Sequence, residues 1–488
     1  MITFKDKREA SVTVWLCLVL TALAVLILAL LEAVRYEGLK SDAKEWSNLS
    51  LESLFAGYQP FLLDEYHMFF LDGSFGRKKL DIAAAEDELS LFLNDNLMIP
   101  EKAKGIHLYH MDSENVEITG YRLATDEKGK VFELQAANSM RKEIGTHAAE
   151  KILNQIKSVN SKEQAAEKPD LYMEDAKNTL DTIAQQKEQE TEKPAEPVIN
   201  NPIDTVKEIK KRGILGIVVP SWKTVSEKKV SVDNCLMKRS LSQGNYPQKE
   251  KCGWYERILM QEFLKTYVGY ALAPKENGAL SYGIEYLICG KESDEKNLEK
   301  TAKKLILLRE GMNYFYLQTD GGKQAEALAA AAAIAGVSVN PAVVEVVKQG
   351  ILAAWAYAES IYDVKSLLSG GKVPIVKNAS VWKTQLSNLG AVLSDVPAGE
   401  SNGLSYEEYL NVLLYTKTVK QLAYRSMDLM EWHMQNEEEF AKCRMDHMIM
   451  GIKLKTEFHA DTLFLGIFQD DTIGGYPFME RTEYVYEK

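Results

Sequence analysis

The sequence predicts an α+β protein with a single amino-terminal membrane-spanning helix, and three observations carry that prediction. Residues 10–31 are an uncharged apolar run, residues 255–270, 298–317 and 350–368 repeat apolar side chains at helical spacing, and the last forty residues alternate like strands. A balance of 58 Lys and Arg against 70 Asp and Glu gives a net charge of −12, which repels a phosphate backbone and argues against a nucleic-acid partner. Five cysteines in 488 residues are too few for a disulfide scaffold.

Taken in order, residues 1–9 form a short basic tail containing Lys5, Lys7 and Arg8. The run 10–31 holds eight Leu, four Val and one Ile. At 1.5 Å per residue it spans about 33 Å, enough for a hydrocarbon core. A cleaved signal peptide would need a shorter apolar core and small residues after it, whereas Glu32-Ala33-Val34-Arg35 follows here, so the segment reads as a retained anchor. The basic tail predicts a cytoplasmic amino terminus, although Arg35, Lys40 and Lys44 beyond the run nearly balance it.

Residues 32–155 read as a stalk and a small sheet. Trp46, Leu49, Leu51, Leu54, Phe55 and Tyr58 fall near helical spacing, so the membrane helix continues as an amphipathic rod until Gly57 and Pro60 break it. Residues 79–98 are helix-like, and 106–111, 116–119 and 131–134 alternate like strands, with Asp126-Glu127-Lys128-Gly129 as a hairpin turn. Residues 156–205 carry few large apolar groups and four prolines, which predicts a flexible linker with one transient helix over 172–187.

The remainder, 206–488, reads as an extracytoplasmic α+β domain. Its Ala-rich stretch 324–335 is small enough for a second helix to approach closely. The uncharged stretch 327–344 is mainly Ala, interrupted by Ser338, Asn340 and Pro341, so it reads as a buried helix and not a second span. GIKLKTEF, DTLFLGIF and RTEYVYE near the carboxy terminus supply terminal strands.

No phosphate loop, nucleophile elbow, zinc-protease helix or dinucleotide turn occurs, and no catalytic residue, metal ligand or cofactor is predicted. Ser369-Gly370-Gly371-Lys372 reads as a turn after a helix. His107 and His110, with Asp112 nearby, stand three apart on an expected strand and so face opposite sides, and Cys443 and His447, four apart on one helical face, have only His433 as a further candidate ligand, so neither set reads as a metal site. Asn436 to Glu439 read as a solvated face. Cys235 and Cys252 could close a disulfide loop if the domain lies outside the cell. Tyr282, Tyr286, Tyr314 and Tyr316 could form an interaction surface, with core packing as the alternative.

The segment EASVTVWLCLVL leading to LLEAVRY resembles the amino terminus of pseudopilins of tight-adherence pilus systems, of the TadE and TadG type. NLSLESLFAGYQPFLLDEYHMFFLD, the blocks at 280–317, 364–377 and 403–416, and the Ala-rich region are similar to the domain-of-unknown-function family numbered 5702. That resemblance implies a single-pass bacterial cell-membrane protein with a pilin-like stalk, a structural or assembly component of a surface secretion or adhesion apparatus. Its partners would be the lipid bilayer and other pilus or secretion-system membrane proteins, and it would act by contact and not catalysis. Ala10 and Trp15 stand where prepilin processing uses Gly and Glu. A membrane-tethered cell-wall enzyme and an adhesive or sensory ectodomain for glycan or peptide are the other classes that stay open.

Overall fold

Helix α1 (Phe4–Ala56) runs for 53 residues, with Gly38 as its one glycine and no proline inside it. The structure, a computed structural model, describes residues 4–98, 107–165, 169–190, 201–247, 251–336, 340–394, 402–465 and 475–486. The chain divides into two compact units. Unit 1 takes Met1–Glu127, Leu241–Lys251 and Glu437–Lys488, and unit 2 takes Lys128–Ser240 and Cys252–Asn436.

In unit 1, none of the side chains from Val12 to Leu31 is buried, and burial begins at Glu32. From there a stripe at three- and four-residue spacing, Leu39, Ala43, Ser47, Leu51, Leu54 and Phe55, faces inward. The rod ends at Ala56, where Gly57 follows. Helix α2 (Pro60–Tyr66) opens on proline with the Gln59 side chain accepting from the Leu62 N–H at 2.8 Å. Strand β1 (Leu71–Asp72), helix α3 (Ile82–Leu97) and strand β2 (Asp112–Leu123) complete the amino-terminal contribution.

The carboxy terminus supplies β3 (Met448–Ala460) and β4 (Tyr476–Val485) to the same unit. β3 is the central strand. It pairs antiparallel with β2 (Val116 opposite Thr456), and its other edge carries β1 (Leu71 opposite Ile449) and β4 (Phe478 opposite Phe458). Its burial alternates from Ile452 onward, so Ile452, Leu454, Thr456 and Phe458 form one inner face. That face meets α1 and α3: Leu51, Leu54 and Phe55 cluster with Leu89, Ile452 and Leu454, and Leu39 and Ala43 with Leu93, Phe458 and Phe478. The Ser47 and Thr456 hydroxyls meet at 2.9 Å within this layer.

Unit 2 is helical: α4 (Asp126–Met140), whose first two residues belong to unit 1, α5 (Thr146–Ala165), α6 (Pro169–Glu190), α7 (Pro202–Lys210), α8 (Ile214–Val218), α9 (Trp254–Val268), α10 (Gly283–Cys289), α11 (Asp294–Thr319), α12 (Gly321–Ala335), α13 (Pro341–Leu368), α14 (Tyr406–Tyr415) and α15 (Val419–Met434). Helix α13 is its axis, buried on every side from Gly350 to Ile361 and packed by α6, α7, α8, α11 and α12. Ile351, Leu352, Trp355, Ile361, Val364 and Leu367 are each fully buried, worth roughly 1.5–3 kcal/mol apiece relative to exposure. Ala327, Ala331 and Ala335 put the small face of α12 inward, as the Ala-rich stretch predicts.

Several expectations are corrected. Of 106–111, residue 106 lies outside the described residues, and 107–111 form a turn with no strand. Residues 131–134 lie within α4 with Val131, Phe132, Glu133 and Leu134 all buried, so their alternation is helical burial on all faces. The turn at Asp126–Gly129 exists, with positive φ at Glu127, Lys128 and Gly129, but it opens a helix and joins no hairpin. The linker 156–205 is instead mostly packed helix in its described part. Ile156 and Val159 of α5, Met173 and Ala176 of α6, and Ile203 of α7 are buried. Composition misleads there because α6 docks by backbone proximity: a Cβ on Gly350 of α13 would lie 2.2 Å from the Ala176 Cβ. The terminal strands do not close a carboxy-terminal domain, since β3 and β4 pair in unit 1. Of DTLFLGIF, residues 461–465 are not strand and the rest lies outside the described residues.

Candidate functional site

The transition from exposed apolar helix to buried core in α1 is marked by a pair of charges, Glu32 and Arg35, one helical turn apart. Their side chains are 4% and 5% exposed, and Arg35 Nη1 donates to Glu32 Oε1 at 2.8 Å. Arg35 also donates from Nε to the Leu108 carbonyl at 2.5 Å and from Nη1 to the Asp461 carbonyl at 2.7 Å. The Glu32 carboxylate accepts from the backbone N–H groups of Leu463 (3.2 Å), Phe464 (2.6 Å) and Leu465 (3.4 Å). Two loops distant in sequence, 107–111 and 461–465, are thereby tied to one turn of helix. Burial pushes the Glu32 carboxyl up, but the Phe464 and Leu463 N–H groups and Arg35 outweigh it and hold it below the usual carboxylate value.

Aromatic rings gather beside this knot. Tyr36 lies 5.5 Å from Tyr476 and 5.8 Å from Phe478, centroid to centroid. The Tyr109 ring rests on the backbone of Gly38, so closely that a Cβ there would lie 2.2 Å from it. Glycine is what admits the 107–110 loop against α1.

Unit 2 holds a second polar constellation, sealed in its core. Arg309 donates from Nε to Asp363 at 2.9 Å and from Nη1 to the Pro374 and Ile375 carbonyls at 3.0 and 2.9 Å. Lys377 bridges Asp363, at 2.5 Å, and Glu359. Glu359 in turn accepts from the Thr384 N–H at 2.8 Å, and Asn313 donates to Asp363 at 2.9 Å. Two cations and two anions cancel, and none is accessible. Burial raises Asp363, but Lys377 and Arg309 outweigh it and hold its carboxyl below the ordinary value. The arrangement clamps α11, α13 and the 373–384 segment together.

Three other buried acids lack such compensation. Burial pushes Glu285 up to about 7, Asp428 up to about 7 and Glu310 up to about 8. Glu285 Oε1 accepts from Tyr406 at 2.7 Å and from the Ala271 N–H at 2.9 Å, while its Oε2 is without a hydrogen-bond partner.

The residues singled out from sequence are not brought into one site. Tyr282, Tyr286, Tyr314 and Tyr316 are all buried, which corrects the interaction-surface reading: Tyr286 donates to Asp428, and Tyr314 to Gln349 at 2.7 Å. Cys235 and Cys252 are free thiols, which corrects the expected bridge. The Leu236 N–H beside Cys235 is held by Asp428 of α15, whereas Cys252 sits at the Lys130 carbonyl of α4. Among the described residues no group of three His, Cys, Asp or Glu side chains is placed to hold a metal ion. Cys443 contacts Asp72, and His110 lies on the surface 4.0 Å from Asp112. The Ser369, Gly370 and Gly371 N–H groups are spent on the last carbonyls of α13, as a helix-ending turn requires. Lys5, Lys7 and Arg8 lie where α1 is described as helix but its side chains are not.

Sequence reasoning missed Glu32, Arg35 and the Arg309 cluster. The available signal was polar and charged side chains at core-facing helical spacing: Glu32–Arg35, Arg309–Asn313 and Glu359–Asp363 each fall three or four apart on the inward side of a helix.

Fold and junction together define a protein with one amino-terminal helix long and apolar enough to cross a membrane, continuing directly into an α+β unit that accompanies a helical one. The chain belongs to a family of unknown function (DUF5702), whose family model matches residues 189–460, more than half of the sequence. No curated protein and no solved structure matches it. The amino-terminal likeness to TadE and TadG pseudopilins lies outside the matched residues.

Proposed function

We propose that this protein is a membrane-anchored, pilin-like structural or assembly component of a bacterial surface secretion or adhesion apparatus, working through protein contacts and not catalysis. The observation that carries the reading is α1: one helix is apolar and largely exposed from Val12 to Leu31 and, from Glu32 onward, is the spine against which an antiparallel sheet packs. A long amino-terminal helix laid on a small sheet is the general plan of pilins, and the likeness of EASVTVWLCLVL to pseudopilin termini points the same way. The tail with Lys5, Lys7 and Arg8 stays in the cytoplasm, the units lie outside, and the partners are the bilayer and membrane proteins of the same apparatus.

Crosslinking in native membranes, followed by purification and mass spectrometry, tests the partner class. Recovery of pilus-type platform or pseudopilin subunits is the expected result. Recovery of peptidoglycan-processing proteins alone overturns it. Protease added to wall-stripped cells should remove the chain beyond residue 40 or so and spare the tail. Protection of the units reverses the orientation.

A further inference from the structure

We infer that the two loops tied to Arg35 and Glu32, residues 107–110 and 461–465, form an apolar collar that lies on the lipid interface around the base of α1. The inference rests on the reading of α1 as a membrane span. The apolar run ends at Leu31, and Arg35 is four residues further, about 6 Å along the helix axis. The headgroup layer on each side of a bilayer is about 5–8 Å deep. Because Arg35 Nε reaches the Leu108 carbonyl at 2.5 Å and Glu32 holds the Phe464 N–H at 2.6 Å, both loops sit at headgroup level.

Beside the exposed polar side chains of His107, His110 and Asp461, they present apolar groups unspent in the core. Leu108 and Tyr109 are 45% and 47% exposed, and Leu463, Phe464 and Leu465 are half-buried. With Tyr36 and Tyr476 they make a girdle of the amphipathic rings that favour a membrane–water boundary. The ion pair gains a purpose in this setting. Irregular backbone near lipid must have its polar groups satisfied from within the protein. Arg35 satisfies the Leu108 and Asp461 carbonyls, and Glu32 satisfies three consecutive N–H groups of the second loop. Among the described residues, 107–110 and 461–465 carry no Lys or Arg, so the attraction of the collar to lipid is hydrophobic and independent of anionic headgroups.

The test uses the full chain in phosphatidylcholine vesicles and in vesicles of phosphatidylcholine with phosphatidylglycerol. Spin labels are placed at Leu108→Cys and Phe464→Cys, with Leu23→Cys in the apolar run and Glu439→Cys on the exposed surface as references, after replacing Cys17, Cys252 and Cys289 by Ser. Labels at 108 and 464 should collide several-fold less with a water-soluble nickel chelate than the label at 439, stay open to oxygen, and behave alike in both lipids. Chelate access equal to that at 439, with the label at 23 shielded, overturns the collar and leaves the span intact. A label at 23 open to chelate removes the span itself. Shielding of 108 from both chelate and oxygen means that protein covers the loop, a second copy or a partner, and also overturns the proposal. The unaltered chain gives a second reading with a phospholipid bearing a photoactivatable diazirine at its headgroup end: adducts on 107–110 and 461–465 support the collar, and adducts confined to 12–31 overturn it.

Discussion

Arg35 and Glu32 form a buried ion pair at 2.8 Å that holds two loops, one from each end of the chain, to a single turn of α1. Replacing Arg35 by Ala leaves the Glu32 charge and the Leu108 and Asp461 carbonyls without their shared donor. The expected loss is about 3 kcal/mol of unit 1 stability, the size typical for breaking a buried pair. Thermal unfolding in detergent micelles measures it. An unchanged midpoint would show the pair to be dispensable.

The same pair sets an acid limit. The Glu32 carboxyl is held below its ordinary value of 4.5, so its contribution is fully present above about pH 4.5 and is lost as pH falls through the lowered value. Hydrogen exchange at the Leu463, Phe464 and Leu465 amides should therefore accelerate below that pH in the native chain. In Glu32→Gln the acceleration should be absent.

Gly350 offers a test in which the sign decides. In an exposed helix Gly→Ala stabilises by about 1 kcal/mol. Here the added Cβ would lie 2.2 Å from the Ala176 Cβ of α6, so Gly350→Ala should destabilise unit 2 by about 1–3 kcal/mol and open 169–190 to limited proteolysis. Stabilisation by the substitution would mean that α6 does not dock on α13.

Unit 2 should lose stability as pH rises through neutrality. Glu285, with an ordinary value of 4.5, is pushed to about 7, so between those values the unfolded chain is ionised while the folded one still holds its proton. Stability then falls with rising pH across that window and levels off above it. Asp428 and Glu310 add to the same slope. Glu285→Gln, which mimics the protonated acid, should flatten the slope in denaturant titrations at pH 5 and pH 8, and an unchanged slope would exonerate this residue.

The thiols should be free and slow. Burial, together with the Glu133 and Glu256 charges, pushes Cys252 up to about 12, so almost no thiolate is present near neutrality. Alkylation at pH 8 should label Cys252 many-fold more slowly in the folded chain than in urea, and unreduced peptides should show Cys235 unbridged. A peptide joining the two would contradict the structure.

The sequence by itself determined the elements that depend on local information. The uncharged run to Leu31, the stop at Gly57 and Pro60, and the periodicity of α3, α9, α11 and α13 were all legible, because helix formation answers to side chains three and four residues apart. The blocks at 280–317, 364–377 and 403–416, which lie within the residues the family model matches, were legible for the same reason, as contiguous strings, whereas the string at 48–72 lies outside that match. Only the tertiary structure decided that β3 pairs with β2 more than three hundred residues away, that Val131–Leu134 is a helix buried on all sides, and that the described residues of α5, α6 and α7 within 156–205 pack where a tether was expected. Strand partners and backbone-close helix contacts such as Ala176 on Gly350 are set by which surfaces remain to be covered once the chain has folded back, and no window of neighbouring residues carries that information. The Glu32–Arg35 knot joins the two cases: its spacing is local, but its meaning comes from Leu108 and Phe464, which only the fold brings to it.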